Sequence, residues 1–137
     1  MTTFRQKTYS EGVSQIFLSF LGVLTGIINK TKNLHWAAPK KNIHVYLDEF
    51  HAIASNYQDA IAEGYMGILG QMGPGDVVCK ACDSSDANSL IDYTIQVTKE
   101  FYEQIPGGTE FKGLTGETES FIQECNKYKY LFGLCDV

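Results

Sequence analysis

Positive charge is scarce in this chain. Eleven Lys and Arg stand against 16 Asp and Glu over 137 residues, a formal net charge of −5. That balance offers no sequence-wide attraction to DNA phosphates or to an anionic membrane. The N-terminal tail has only Arg5 and Lys7, too few for a basic arm, so DNA binding is not expected. A long hydrophobic run is also missing. Gly12 to Asn29 is free of charge but falls short of the roughly 20 apolar residues of a spanning helix. It is broken by Ser14, Gln15, Ser19, Thr25 and Asn29, and "TGIINKTKN" is a poor signal-peptide cleavage site. The expectation is a cytosolic (cytoplasmic), soluble protein with no membrane partner.

Proline is rare as well. The three prolines, Pro39, Pro74 and Pro106, all fall in breaks between periodic segments, as expected of residues that disfavour helix before them. Between those breaks the spacing predicts helices. Val13, Phe17, Phe20, Leu24, Ile27 and Thr31 alternate by four and three, predicting a helix from about Ser10, its N-cap, to about Leu34. "AAPKKN" ends it. A second helix runs from Lys41 to Leu69 and stops in "GQMGPGD". The linker "VVCKACDSSD" leads to a third, Ala87 to Ile105, with Leu90, Thr94, Val97, Phe101 and Ile105 in phase. "PGGTEFKGLTG" reads as a loop, and Glu117 to Phe132 as a last helix burying Phe121, Cys125, Tyr128 and Phe132. The short first and third connections imply antiparallel hairpins. The longer middle one implies a crossover. The expectation is one all-α domain over 1–137, a four-helix bundle with one long crossover between its second and third helices, the ferritin-like layout.

The second helix carries an unusual set of residues. Asp48, Asp59 and Glu63 lie roughly 40°, 60° and 100° around the helix axis from His44, so all four share one face. Ala52 and Ser55, both small, lie between them. Glu49, His51 and Asn56 are read as off this face, at ordinary solvated positions. Asp48 and Asp59 are about 16 Å apart along the axis, too far for one metal with ligands at about 2 Å to hold both from one chain. The set is nevertheless palindromic: the pairs His44/Glu63 and Asp48/Asp59 share a midpoint between Ile53 and Ala54. Two copies packed antiparallel about a two-fold axis there would bring His44 and Asp48 against Asp59 and Glu63 of the other copy, making two equivalent sites. Mixed imidazole and carboxylate ligands suit iron, zinc or manganese. His35, across the short loop, is placed to complete the shell.

"TKNLHW", followed by His44, Asp48, Asp59 and Glu63, resembles the Dps proteins, the DNA-protecting mini-ferritins of the ferritin-like superfamily. Their ferroxidase site takes a His before a Trp and a His-x3-Asp from one subunit. It takes an Asp-x3-Glu from the two-fold mate, with ten residues between the two aspartates. Here those are His35 before Trp36, His44 with Asp48, and Asp59 with Glu63, with the same ten-residue interval. The match covers roughly Thr31 to Met66. The interval from His35 to His44 is shorter than in that family, and compact ferritin-like proteins carried by viruses show a similar short pattern. The resemblance implies an iron-binding ferroxidase using peroxide or dioxygen, with storage or detoxification of the ferric product. It also implies a homodimer through the second helix, a hollow twelve-subunit shell, and a role for Trp36 beside the site in taking up oxidising equivalents. The alternative is a ferritin-like assembly or binding module with a structural metal and no turnover.

Cys79 and Cys82 form a CxxC in the crossover, and Cys125 and Cys135 lie on or after the last helix. Together they offer a second, structural zinc site. A redox pair or a disulfide is the rival for the CxxC, and Cys125 at a core position is most simply a small hydrophobe.

Overall fold

The computed structural model describes residues 11–135; the proposed Ser10 cap and the tail cations Arg5 and Lys7 lie outside them. Four helices account for most of the described chain, with no strand among the described residues: α1 (Gly12–Ala37), α2 (Lys41–Leu69), α3 (Ala87–Gln104) and α4 (Lys112–Gly133). The all-α expectation is met.

Side-chain ties fix the directions. Tyr65 near the end of α2 donates to Ser14 at the start of α1 (3.2 Å), while Gln58 donates to the Leu21 carbonyl and to Thr25 Oγ1. Thus α1 and α2 are antiparallel. Lys129 pairs with Asp92 at 3.1 Å and Tyr102 donates to Glu119 at 2.6 Å, which makes α3 and α4 antiparallel. Tyr57 bonds Thr118 and Tyr128 donates to Glu49, so α4 also runs against α2. It follows that α2 and α3 are parallel, and the 70–86 segment must traverse the bundle lengthwise. Its far end confirms this: Ser85, Asp86 and Ala87 line a small apolar pocket with Leu34, Pro39 and Ile43, at the α1–α2 turn.

Two glycines let that strap lie flat on α1. A methyl group on Gly22 would come within 2.1 Å of the Val78 carbonyl oxygen, and one on Gly26 within 1.8 Å of Lys80's. The main chains touch there, and Lys80 N–H donates to the Gly22 carbonyl at 3.0 Å. The strap ends in a capping box. Asp86 accepts from Ser89 N–H at 2.8 Å while Ser89 returns its hydroxyl oxygen to Asp86 N–H, and these bonds hold the Asp86 carboxyl below its ordinary range.

The core is aromatic. Phe20 stacks on Phe101 (4.0 Å, 8°), Tyr57 stacks on Phe121 (4.1 Å, 8°), and Phe20 meets Tyr57 edge-on, so three contacts join all four helices. Phe17, Phe50, Phe111 and Phe132 are fully buried, each contributing about 1.5–3 kcal/mol. On α1, Phe17, Leu21, Leu24 and Ile27 face this core. By length and composition alone α1 is apolar enough to cross a membrane; its apolar stripe is packed against the other helices instead.

Two boundaries differ from the sequence reading. α1 continues through His35 and Trp36 to Ala37. More substantially, 106–116 is no simple loop. A 3-10 turn (Thr109–Phe111) leads into α4, which begins at Lys112 rather than Glu117. Phe111 and Leu114 are buried, and that burial outweighs the weak helix propensity of Gly113 and Gly116.

Candidate metal centre

The α1–α2 turn is three residues long, Ala38 to Lys40, so the last turn of α1 lies directly against the first turn of α2. His35 and His44 meet across it. His35 Nδ1 donates to the His44 carbonyl at 2.6 Å, His44 Nδ1 donates to the His35 carbonyl at 2.7 Å, and the rings stack at 3.8 Å. A carbonyl oxygen can only accept, so the proton sits on Nδ1 of both rings. In the neutral imidazole the lone pair is then on Nε2, the arrangement that metal-ligating histidines show when a main-chain carbonyl orients them. His35 Nε2 points toward Asp48, 3.9 Å from Oδ1. The short turn that distinguishes this chain from the family pattern still delivers His35 to the same place as His44 and Asp48.

Asp48 Oδ1 also receives Lys32 Nζ at 2.9 Å. That bond, then the charge of Lys32, holds the exposed Asp48 carboxyl below its ordinary range.

Asp48, Ala52, Asp59 and Glu63 lie along one exposed stripe of α2, on the side away from the core residues Leu47, Phe50, Ala54 and Tyr57. Among the described residues no element covers it. The structure thus brings His35, His44 and Asp48 together at one end of the stripe and leaves Asp59 and Glu63 farther along it. Among the described residues no group of three or more His, Cys, Asp or Glu converges as a metal site within the single chain. The donors present suit a divalent transition cation: oriented imidazole nitrogens, an ionised carboxylate, and further carboxylates on an uncovered face.

The structure adds to the sequence reading at three positions. His51, read as off this face, is half-buried and interacts electrostatically with Asp48, Lys32 and His35. Its seven-residue distance from His44 is within about 20° of two full turns, a signal the sequence held. Ala54, beside the palindrome's midpoint, is fully buried and points into its own bundle; the surface at the midpoint is made by Ala52 and Ser55. Trp36, in the last turn of α1, is 68% exposed.

The cysteines are not gathered. Cys79 is exposed on the strap, 4.0 Å from the Asn29 amide; Cys82 is buried beneath it, within 3.5 Å of the Ser84 hydroxyl. Cys125 is fully buried in the α4 core, where burial pushes its thiol up, and Cys135 donates to the Leu131 carbonyl. The expected four-cysteine zinc cluster is therefore not assembled among the described residues: Cys79 and Cys82 ride on the strap, Cys125 lies on α4 and Cys135 just after it. The carboxylate of Glu49, read as solvated, accepts from the buried Tyr128 hydroxyl at 2.9 Å. No protein-family profile, curated protein or solved structure matches this chain.

Proposed function

We propose that this chain is a Dps-like mini-ferritin: a cytosolic homo-oligomer on a ferritin-like four-helix bundle that oxidises Fe(II) and stores or detoxifies the iron. The oxidant is hydrogen peroxide or dioxygen. Fe(II), the substrate, is bound by His35, His44 and Asp48 of one copy with Asp59 and Glu63 of a second copy. The single observation that carries the reading is the reciprocal His35–His44 anchoring, which fixes both tautomers and leaves the lone pair on Nε2, that of His35 lying 3.9 Å from Asp48 Oδ1. The uncovered α2 stripe supports the two-copy part of the reading, because it leaves Asp59 and Glu63 without an intramolecular use as ligands. The lengthwise strap and the parallel α2 and α3 support the ferritin-like part.

Each residue has a definite task. The carboxylates offset the cation's charge and bridge; the imidazoles supply borderline-soft nitrogen that favours a transition metal over calcium or magnesium. The test is Fe(II) added without oxygen, followed by peroxide, with the ferric absorbance recorded against time. The wild type should oxidise iron in a rapid phase that Asp48→Ala loses. Equal rates in the two proteins, at equal oligomer mass by light scattering, would overturn the proposal.

A further inference from the structure

The crossover strap carries a cysteine pair that the proposed metal centre does not use. Cys79 is exposed, with the Asn29 amide nitrogen of α1 4.0 Å from its Sγ. Cys82 is buried, and its thiol donates to the Ser84 hydroxyl at 3.5 Å. Neither is in a disulfide, and the main chain between them is drawn out. Gly22 and Gly26 stand about 6 Å apart along α1, and the Val78 and Lys80 carbonyl oxygens rest on them, one on each. Two strap residues thus cover about 6 Å, close to the rise of extended chain, and no turn or bend interrupts residues 78–85. At that rise the Cα atoms of Cys79 and Cys82 are about 10 Å apart. A disulfide needs them within about 7 Å. The Lys80 N–H bond to the Gly22 carbonyl, 3.0 Å long, pins the same stretch to α1.

We propose that Cys79 and Cys82 are a dithiol oxidised by hydrogen peroxide, and that closing their disulfide draws the strap off α1. Cys79, the exposed thiol, reacts first. Its sulfur bonds to one peroxide oxygen, the O–O bond breaks, and the other oxygen leaves as water with the thiol proton, giving a sulfenic acid. The Cys82 sulfur then attacks the sulfenic sulfur. The S–S bond forms, the S–O bond breaks, and a second water leaves with the Cys82 proton. The two thiols give up two electrons and one peroxide becomes two waters. This ring cannot close on an extended strap. The chain must contract by about 3 Å between the two Cα atoms, and the Lys80 N–H gives up the Gly22 carbonyl. A dithiol reductant reverses the change by thiol–disulfide exchange and lets the strap settle back on the two glycines.

This inference is independent of the metal centre, and its test contains no iron. The full chain is treated with hydrogen peroxide, alkylated and digested with trypsin. Trypsin cuts after Lys80, between the two cysteines, so the disulfide leaves two peptides joined until reduced. Wild type should yield that joined pair while still migrating as a single chain on a non-reducing gel. Amide exchange at Lys80 should then quicken roughly tenfold, the effect of losing one main-chain hydrogen bond, and dithiothreitol should restore the slow rate. Cys82→Ser should stop at a sulfenic acid on Cys79, trapped by dimedone, with Lys80 exchange unchanged. Gly22→Ala, whose methyl meets the Val78 carbonyl oxygen, should lift the strap beforehand and form the disulfide faster. Thiols that survive excess peroxide, or a disulfide joining Cys79 to Cys125, Cys135 or a second chain, would overturn the pair. A Cys79–Cys82 disulfide with unchanged Lys80 exchange would overturn the lifting of the strap.

Discussion

Lys32 on α1 holds Asp48 on α2 by a 2.9 Å bond, so the carboxylate best placed to bind a metal is already engaged by a cation. A metal at the proposed centre would have to displace that ammonium from Oδ1.

The pH consequence follows from the sign of the shift. Lys32 holds the folded Asp48 below its ordinary value of 3.8. A depressed acid stabilises the fold above its unfolded value and loses that contribution as pH falls through the lower, folded one. In Lys32→Ala the window should move up toward 3.8, seen in the carboxyl-carbon chemical shift of Asp48 during a titration. Overall stability should hardly change, since an exposed pair contributes little. At neutral pH the variant should bind Co(II) more tightly, because the competing ammonium is gone. An Asp48 midpoint indifferent to Lys32 would show that the pair does not form in solution.

At the alkaline end the sign reverses. Burial raises the Tyr57 and Tyr128 phenols well above their ordinary 10.0, and the neighbouring Glu49 raises Tyr128 further. Above pH 10 the unfolded chain releases these protons while the folded chain keeps them, so stability should fall as pH rises beyond that point. Spectrophotometric titration of the folded protein should leave both tyrosines un-ionised until it unfolds. Tyr128→Phe, which strips the partner from Glu49, should cost about 1 kcal/mol at neutral pH and flatten the alkaline fall.

The glycines provide a paired stability test. Gly26→Ala should cost about 1–3 kcal/mol by overpacking, because the new methyl meets the Lys80 carbonyl oxygen and the strap must lift. Gly116→Ala meets nothing within 4 Å inside α4 and should instead stabilise by about 0.5–1 kcal/mol. Urea unfolding of both variants checks the contrast. Equal effects of the same sign would mean the strap does not press on α1.

Much of this was legible from spacing. The core of α1 and α4 lay where the four-and-three alternation put it, and the face of Asp48, Asp59 and Glu63 followed from 100° per residue. What spacing concealed depended on contacts distant in sequence. Gly22 and Gly26 look like helix weak points until the strap is seen lying against them. Phe111 looks like a loop residue until the 3-10 turn buries it. The His35–His44 anchoring required the turn geometry, since nothing in the order of residues says each ring will cap the other's carbonyl. His51 was visible in the sequence at its two-turn distance from His44, and the arithmetic applied to its neighbours identifies it.

The palindrome makes the strongest test of the two-copy centre. Because Asp48 and Asp59 lie about 16 Å apart along one rigid helix, each half of the proposed centre would need the other half from a second chain. Ala52 is exposed at the crossing point, so Ala52→Arg should block close approach, leave the monomer folded, and abolish dimerisation together with rapid iron oxidation. Ala54 would be the wrong choice: it is fully buried, and a charge there would unfold the bundle. Mixing His44→Ala with Glu63→Ala chains is sharper. In the mixed dimer His44 of one chain faces Glu63 of the other, so both substitutions fall in one site and the twin is whole. Each mutant homodimer has both sites damaged. Mixed dimers should therefore recover about half the wild-type activity, one intact site of the two that a two-fold interface creates. No recovery after confirmed subunit exchange, or full-rate oxidation by the Ala52→Arg monomer, would show that the centre belongs to a single chain.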